Sequence, residues 1–228
     1  MLTIIHGDNI KDSRDFYLQL KQKMTEGITL QGDKINITDL TEAVEGSGLF
    51  VENKEVFIEN LFSKRRSGKE LDVLIEFLNN HLKSSIVLWE QKQVTKPQQK
   101  KLTGAIIKEF AYPQTLFHMM DALIPLNGKK LVLLYQQTLQ HIEPEIILFM
   151  ITKQVRLLLA LKENSATNIT ELSIMQWQKP KLLKQSQLFN KEQLLSLHRK
   201  LFDFDWQYKT GNLTQPLPDT LDFFLAEI

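Results

Sequence analysis

The sequence predicts an α/β domain built on a parallel sheet, followed by an all-helical domain. Three observations lead there. Up to Pro113, short apolar runs alternate with segments of helical period, the pattern of βαβ units. Ser85–Trp89 (SIVLW) is a continuous apolar run of strand length, which suits a central parallel strand buried on both faces. From Thr115 onward almost every segment has a helical period. The 228 residues allow one large or two small domains. The boundary is placed near Tyr112-Pro113, giving domains 1–112 and 113–228.

Taken in order, Leu2–Ile5 is a short apolar run that stops at His6-Gly7-Asp8, a strand and its turn. Asp12 or Ser13 can cap a helix with Phe16, Leu20 and Met24 on one face. Ile35–Thr38 alternates like a strand or extended segment. Leu40 and Val44 suggest a short helix capped by Thr38 or Asp39. Lys54–Glu59 is the next strand. Leu71, Leu74, Ile75, Leu78 and Leu82 form the stripe of a helix. After the strand at 85–89, Lys96–Lys108 reads as a helix and Glu109–Tyr112 as a last strand. In the second domain, Phe117, Met120, Leu123 and Ile124 mark one helix, Asn127-Gly128 breaks it, and Lys129–His141 is a second. Pro144 starts a third, Glu143–Lys162, with Leu148, Ile151, Val155 and Leu158 inward. Segments 169–175, 180–188, 191–208 and 217–228 follow. Asn190 resembles an N-cap with a capping box, and Gly211 a C-terminal stop.

Composition bounds the function. Hydrophobic residues make up 43% and charged residues 24%, so a globular core can form. Net charge is +1, with 16 basic and 16 acidic residues before the boundary and 12 basic and 11 acidic after it. A strongly basic nucleic-acid protein is excluded, though not a local patch. The chain has no Cys, which removes disulfides, thiolate zinc sites and thiol catalysis and suits a cytoplasmic setting. The N-terminus lacks the pattern of a signal peptide. The most apolar window, 146–161, is interrupted by Lys153, Gln154 and Arg156, so no membrane span is expected.

Motifs for catalysis or cofactors are missing. A phosphate cradle needs GxxxxGK[ST], and the turn HGDNIKDSRD has one glycine and no Gly-Lys-Ser/Thr. The dinucleotide fingerprint is missing too. The strand at 85–89 ends in Trp89-Glu90-Gln91, where a magnesium-binding ATPase would want an Asp-Glu pair; Glu90 reads as a strand-end surface residue. His6, His81, His118, His141 and His198 have no metal-ligand spacing, Asp203 and Asp205 point apart on a helix, and no GxSxG elbow is present. The expectation is a protein with no catalytic site, no cofactor and no metal.

Two basic clusters lie beyond the carboxyl ends of predicted strands, where open α/β sheets place ligands. One is Lys64, Arg65, Arg66 and Lys69; the other is Lys92, Lys96, Lys100 and Lys101. They can contact DNA phosphate, or they are a solvated loop and an ordinary basic helix face; the residues by themselves favour the latter. In EGSGLFVENKEVFIENL (45–61), Leu49 and Phe50 follow Gly46-Ser47-Gly48, which permits a sharp turn. The pair is either a tip held out for a partner's pocket or a helix end packed into its own domain.

The order of these features resembles the delta subunit of the bacterial DNA polymerase III clamp loader. IIHGDNI resembles its opening strand and Gly-Asp, and GSGLFVENKEVFIENL its helix end, Leu-Phe and strand. SSIVLWEQKQVTKPQQKKL is similar to its buried strand and basic helix, and EFAYP to its closing strand. The C-terminal match is the more specific. TLFHMMDALIPLNGKKLVLLYQQ looks like the helix pair opening the family's collar domain, and ILFMITKQVRLLLALKE like its helix with a leucine cluster. QKPKLLKQSQLFNKEQLLSLHRKLFDFDWQYKTG looks like its closing segment, with Asp205, Lys209 and Gly211. Family members usually carry a small helical lid between these parts. Here EFAYPQTLFHMMDAL runs almost directly from strand to collar, which marks a shortened form.

The resemblance implies a reduced AAA+-like module without a P-loop, followed by a helical collar. It implies that Leu49 and Phe50 bind the hydrophobic pocket of the sliding clamp (the beta subunit) and help open it. The collar, residues 113–228, would assemble with the other clamp-loader subunits, and Lys64, Arg65, Arg66, Lys96, Lys100 and Lys101 would be the residues to touch primed DNA. The alternatives are a free-standing helical adaptor and a DNA-binding module descended from the same fold.

Overall fold

The structure, a computed structural model, describes residues 1–24, 27–46, 55–82, 84–162 and 178–228. It divides into two compact units, Met1–Tyr112 and Pro113–Ile228.

The first unit holds five strands: β1 (Leu2–His6), β2 (Gly27–Gln31), β3 (Glu55–Glu59), β4 (Ser85–Trp89) and β5 (Ile106–Glu109). All pair in parallel, in the order β2-β3-β4-β1-β5. Ile4 and Ile58 both stand in register with Leu88. Because side chains alternate along a strand, the sheet builds two cores. Leu2, Ile4, Val56, Ile58, Ile86 and Leu88 pack with α2 (Ile37–Glu45) and α4 (Lys69–Asn80), which contribute Leu40, Ala43, Leu71, Leu74, Ile75 and Leu78. Ile5, Phe57, Val87 and Trp89 pack on the other face against Tyr17 of α1 (Ile10–Gln22). Burial on both faces explains why β4 has no polar alternation. Two shorter helices complete the unit, α3 (Leu61–Lys64) and α5 (Lys96–Lys101).

Several boundaries differ from the sequence expectations. Asn9 caps α1 in place of Asp12 or Ser13, by accepting from the Asp12 amide at 3.2 Å. Residues 35–38 are not a strand: Asn36 caps α2 in a capping box with Asp39, each bond 3.0 Å. The second strand is instead Gly27–Gln31, half exposed at the sheet edge. The helix expected to reach Lys108 stops at Lys101, since Gly104 sits at φ 76, and β5 begins at Ile106.

The second unit is helical: α6 (Gln114–Ala122), α7 (Gly128–Leu139), α8 (Pro144–Lys162), α9 (Lys179–Gln187), α10 (Lys191–Lys209) and α11 (Leu217–Ala226). α8 is its axis, with Leu148, Ile151, Val155 and Leu158 all buried as the stripe predicts. α9 and α10 pack on α8, while α7 packs with α6 and α11. On α6 the inward face is Leu116, Met119 and Met120, and Phe117 points to solvent. Asn190 forms its capping box with Gln193, and Gly211 follows α10 at φ 72. Gln185, buried on α9, donates to the carbonyls of Met120 (2.8 Å) and Leu123 (2.7 Å) and accepts from Gln154 (2.7 Å). It thereby adds a donor at the end of α6, where the Met120 carbonyl also accepts from the Leu123 amide. The helix expected at 169–175 lies outside the described residues.

Candidate functional site

The carboxyl ends of β1, β3 and β4 are where a parallel sheet of this kind would hold a nucleotide. At the end of β1, the chain turns at Gly7, φ 140, where an added Cβ would lie 2.0 Å from the Phe110 carbonyl oxygen. The Phe110 amide donates to the His6 carbonyl at 2.7 Å, and the Asn9 amide donates to the Phe110 carbonyl at 2.9 Å. The turn is closed on the chain leaving β5, and its Asn9 and Ile10 amides are used within the protein. The amino end of α1 is filled by the Asn9 side chain, and Asp8 and Asp12 stand beside it. Carboxylates there repel the anion that a helix N-terminus would otherwise attract. His6 is fully buried beside Gln99, whose amide nitrogen lies 3.2 Å from its Nε2. Burial lowers its pKa, against the opposing pull of Glu109 and Asp8.

At the end of β3, Glu59 pairs with Arg14 at 3.0 Å, and that guanidinium lies 4.4 Å above the Trp89 ring. Asn60 sits in the left-handed region at φ 62, which Asn tolerates, and its side-chain oxygen accepts from the Gln91 amide at 3.2 Å. It therefore leaves α3 uncapped.

Glu90, at the end of β4, supplies that cap. It is fully buried, not the surface residue expected from its strand-end position. Its carboxylate accepts from the amides of Phe62 and Ser63, each at 2.8 Å, and from the Ser63 hydroxyl. Burial raises its pKa, and the donors of Ser63, Phe62 and Leu61 oppose that shift. Every oxygen faces a donor of α3, so the group serves as a structural acceptor and not as a metal ligand. Among the described residues no cluster of three potential metal ligands occurs.

The six basic residues expected to face DNA separate into two sorts. Lys64, Arg66, Lys96 and Lys100 are exposed, beyond the ends of adjacent strands β3 and β4. Lys101 is exposed but pairs with Asp72 at 2.8 Å. Arg65 differs: its side chain is 12% exposed. Its Nε donates to the Gly32 carbonyl at 3.0 Å and its Nη2 to the carbonyls of Asp33 (3.4 Å) and Ile35. Leu49 and Phe50 lie outside the described residues. The chain before them ends as α2 at Glu45 and Gly46, and the chain after them resumes as β3 at Glu55. Sequence reasoning missed the roles of Glu90 and Arg65, because both partners are long-range backbone groups that no local motif announces.

Among the described residues no helix is long and apolar enough to cross a membrane. No curated protein matches the chain. Among solved structures, the Bacillus subtilis DNA clamp loader delta protein is similar at 12% identity and TM-score 0.46, covering 98% of this chain and 94% of that one. A DNA polymerase III gamma subunit-related protein of Thermotoga maritima is similar at 12% identity and TM-score 0.37, covering 99% and 93%. Residues 113–225 match the family model of the DNA polymerase III delta subunit, C-terminal domain. The helical unit thus carries the C-terminal domain of the DNA polymerase III delta subunit.

Proposed function

We propose that this protein is the clamp-binding, non-hydrolysing subunit of a loader: it holds the sliding clamp through Leu49 and Phe50 while the helical unit joins neighbouring ATPase subunits. The observation that carries this reading is the pairing of a delta-type helical unit with an α/β unit whose first turn is closed on Phe110. Such a turn packs its backbone on Phe110 and engages the Asn9 and Ile10 amides internally, which disfavours a triphosphate cradle, and Glu59, engaged by Arg14, has no spare charge for magnesium. Nucleotide-driven change would have to come from the neighbours. Four residues, Phe110–Pro113, separate β5 from α6, which supports a form without a lid. Phe149, Phe202 and Trp206, large and exposed on α8 and α10, are suited to bury against another subunit. The experiment is co-elution of the purified chain with its own clamp, with ATP titrated into the isolated chain. A stable complex and no ATP binding are expected. Stoichiometric ATP binding contradicts the reading.

A second reading rests on Lys64, Arg66, Lys96 and Lys100, four exposed cations at one end of the sheet. Contact with primed DNA through all four would give log K against log salt a slope of about −3 to −4. Salt-independent retention of DNA, or none, removes it.

A further inference from the structure

Glu145, Phe149, Thr152 and Arg156 stand at i, i+4, i+7 and i+11, on one face of α8. His198, Phe202, Asp205 and Lys209 repeat that spacing on α10. The two faces border a groove of about 470 Å³, floored by the buried Leu148 and Leu201. The Tyr208 hydroxyl donates to Glu145, so the end of α10 lies beside the start of α8 and the two helices run antiparallel. The groove is therefore polarised. At one end Asp205 is paired with Lys209 at 2.7 Å, which leaves Glu145 as the net charge. Arg156 and His198 stand at the other end. Its apolar rim is open: Phe149 is 64% exposed, Phe202 59% and Trp206 62%. Large aromatic side chains grouped on a free surface mark an interface.

We propose that this groove pairs with a second copy of the chain, α8 of each copy lying antiparallel to α8 of the other. The proposal stands on the helical unit alone and does not rest on clamp binding. Two features favour a second copy. The charge pattern is self-complementary about a two-fold axis: reversing α8 brings Glu145 of each copy to Arg156 of the other. Phe149, toward the middle of the stripe, then lies near the axis and enters the other groove. The area also suffices. Each helix has 19 residues and is about 28 Å long, so two side by side offer about 560 Å² per copy. The pair buries about 1,100 Å², just above the roughly 1,000 Å² expected of a specific interface. Self-pairing covers Phe149, Phe202 and Trp206, so it competes with any other subunit for this face.

The test is sedimentation equilibrium of the full chain over a range of concentrations, with the chain as its own partner. The expected result is a mass rising from 26.6 kDa to twice that value. Phe149 and Arg156 are exposed, so replacing them tests contact and not folding. Phe149→Ser should weaken pairing at least about 100-fold, because the side chain is lost from both copies. Glu145→Arg and Arg156→Glu each set like charges face to face twice, and each should weaken pairing about tenfold. An equimolar mixture of these two variants should regain wild-type affinity, since both contacts in the mixed pair join opposite charges. Circular dichroism checks that each variant is folded. A wild type that is monomeric at every concentration overturns the proposal, as does a mixture no stronger than either variant alone. A wild type that stays monomeric and pairs only with an ATPase subunit gives the groove to that partner and also overturns it. Clamp binding, measured separately, decides the reading above independently of these results.

Discussion

Replacing Glu90 by glutamine tests how the end of β4 is built. The carboxylate accepts two amide bonds at 2.8 Å and one from the Ser63 hydroxyl. Glutamine keeps one acceptor oxygen, which can serve the Phe62 amide. Its NH₂ then faces the Ser63 amide, donor against donor, although the Ser63 hydroxyl can rotate to accept. One amide at the start of α3 is left unpaired. An unpaired group of this kind costs about 1–3 kcal/mol, and the loss is partly offset because a buried charge is removed. The variant should therefore lose about 1–2 kcal/mol at neutral pH in urea unfolding of the α/β unit, with faster exchange at Phe62 and Ser63.

The pH dependence has a definite sign. A carboxyl whose folded pKa is raised contributes stability that is fully present below its ordinary value of 4.5 and is lost as pH rises through the folded pKa. The wild-type advantage over Glu90→Gln should shrink from acid to neutral pH. A variant as stable as wild type at neutral pH, or an advantage that grows with pH, would refute the reasoning.

Four further outcomes follow from the same structure. Gly7→Ala places a Cβ 2.0 Å from the Phe110 carbonyl oxygen at φ 140, and it should cost about 3 kcal/mol or more in denaturant unfolding. Gln185→Leu leaves the Met120 and Leu123 carbonyls without this donor, and calorimetry should show the helical unit weakened by about 2 kcal/mol. His6 is buried with a lowered pKa, so its contribution is present above 6.5 and lost as pH falls through the folded pKa; His6→Gln should flatten the stability profile on the acid side of 6.5. Lys101→Met removes an exposed ion pair with Asp72, and should change stability by about 0.5 kcal/mol or less.

What the sequence made legible was what local periodicity controls. The α8 stripe, the Asn190 capping box and the buried strand at 85–89 each need only near neighbours to be read. Gly27–Gln31 escaped notice because an edge strand is half exposed and short, so burial does not print a pattern on it. Ile35–Thr38 resembled a strand because the Asn36 cap and its Asp39 partner interrupt the apolar spacing. Glu90 looked like a surface residue because the donors that hold it arrive from α3, about 28 positions earlier in sequence. Arg65 stood in a run of three cations, and composition alone does not separate the one bonded to carbonyls from the two in solvent. The helical unit was recognisable from the order of its segments, and its family match covers residues 113–225.

The most direct measurement is the affinity of the purified chain for its own sliding clamp, wild type beside Leu49→Ala/Phe50→Ala. Burying each side chain in a partner's pocket is worth about 1.5–3 kcal/mol, so the double variant should bind at least about 100-fold more weakly with an unchanged circular dichroism spectrum. Equal clamp affinity for wild type and the double variant, or no clamp binding by the wild type, would contradict the account.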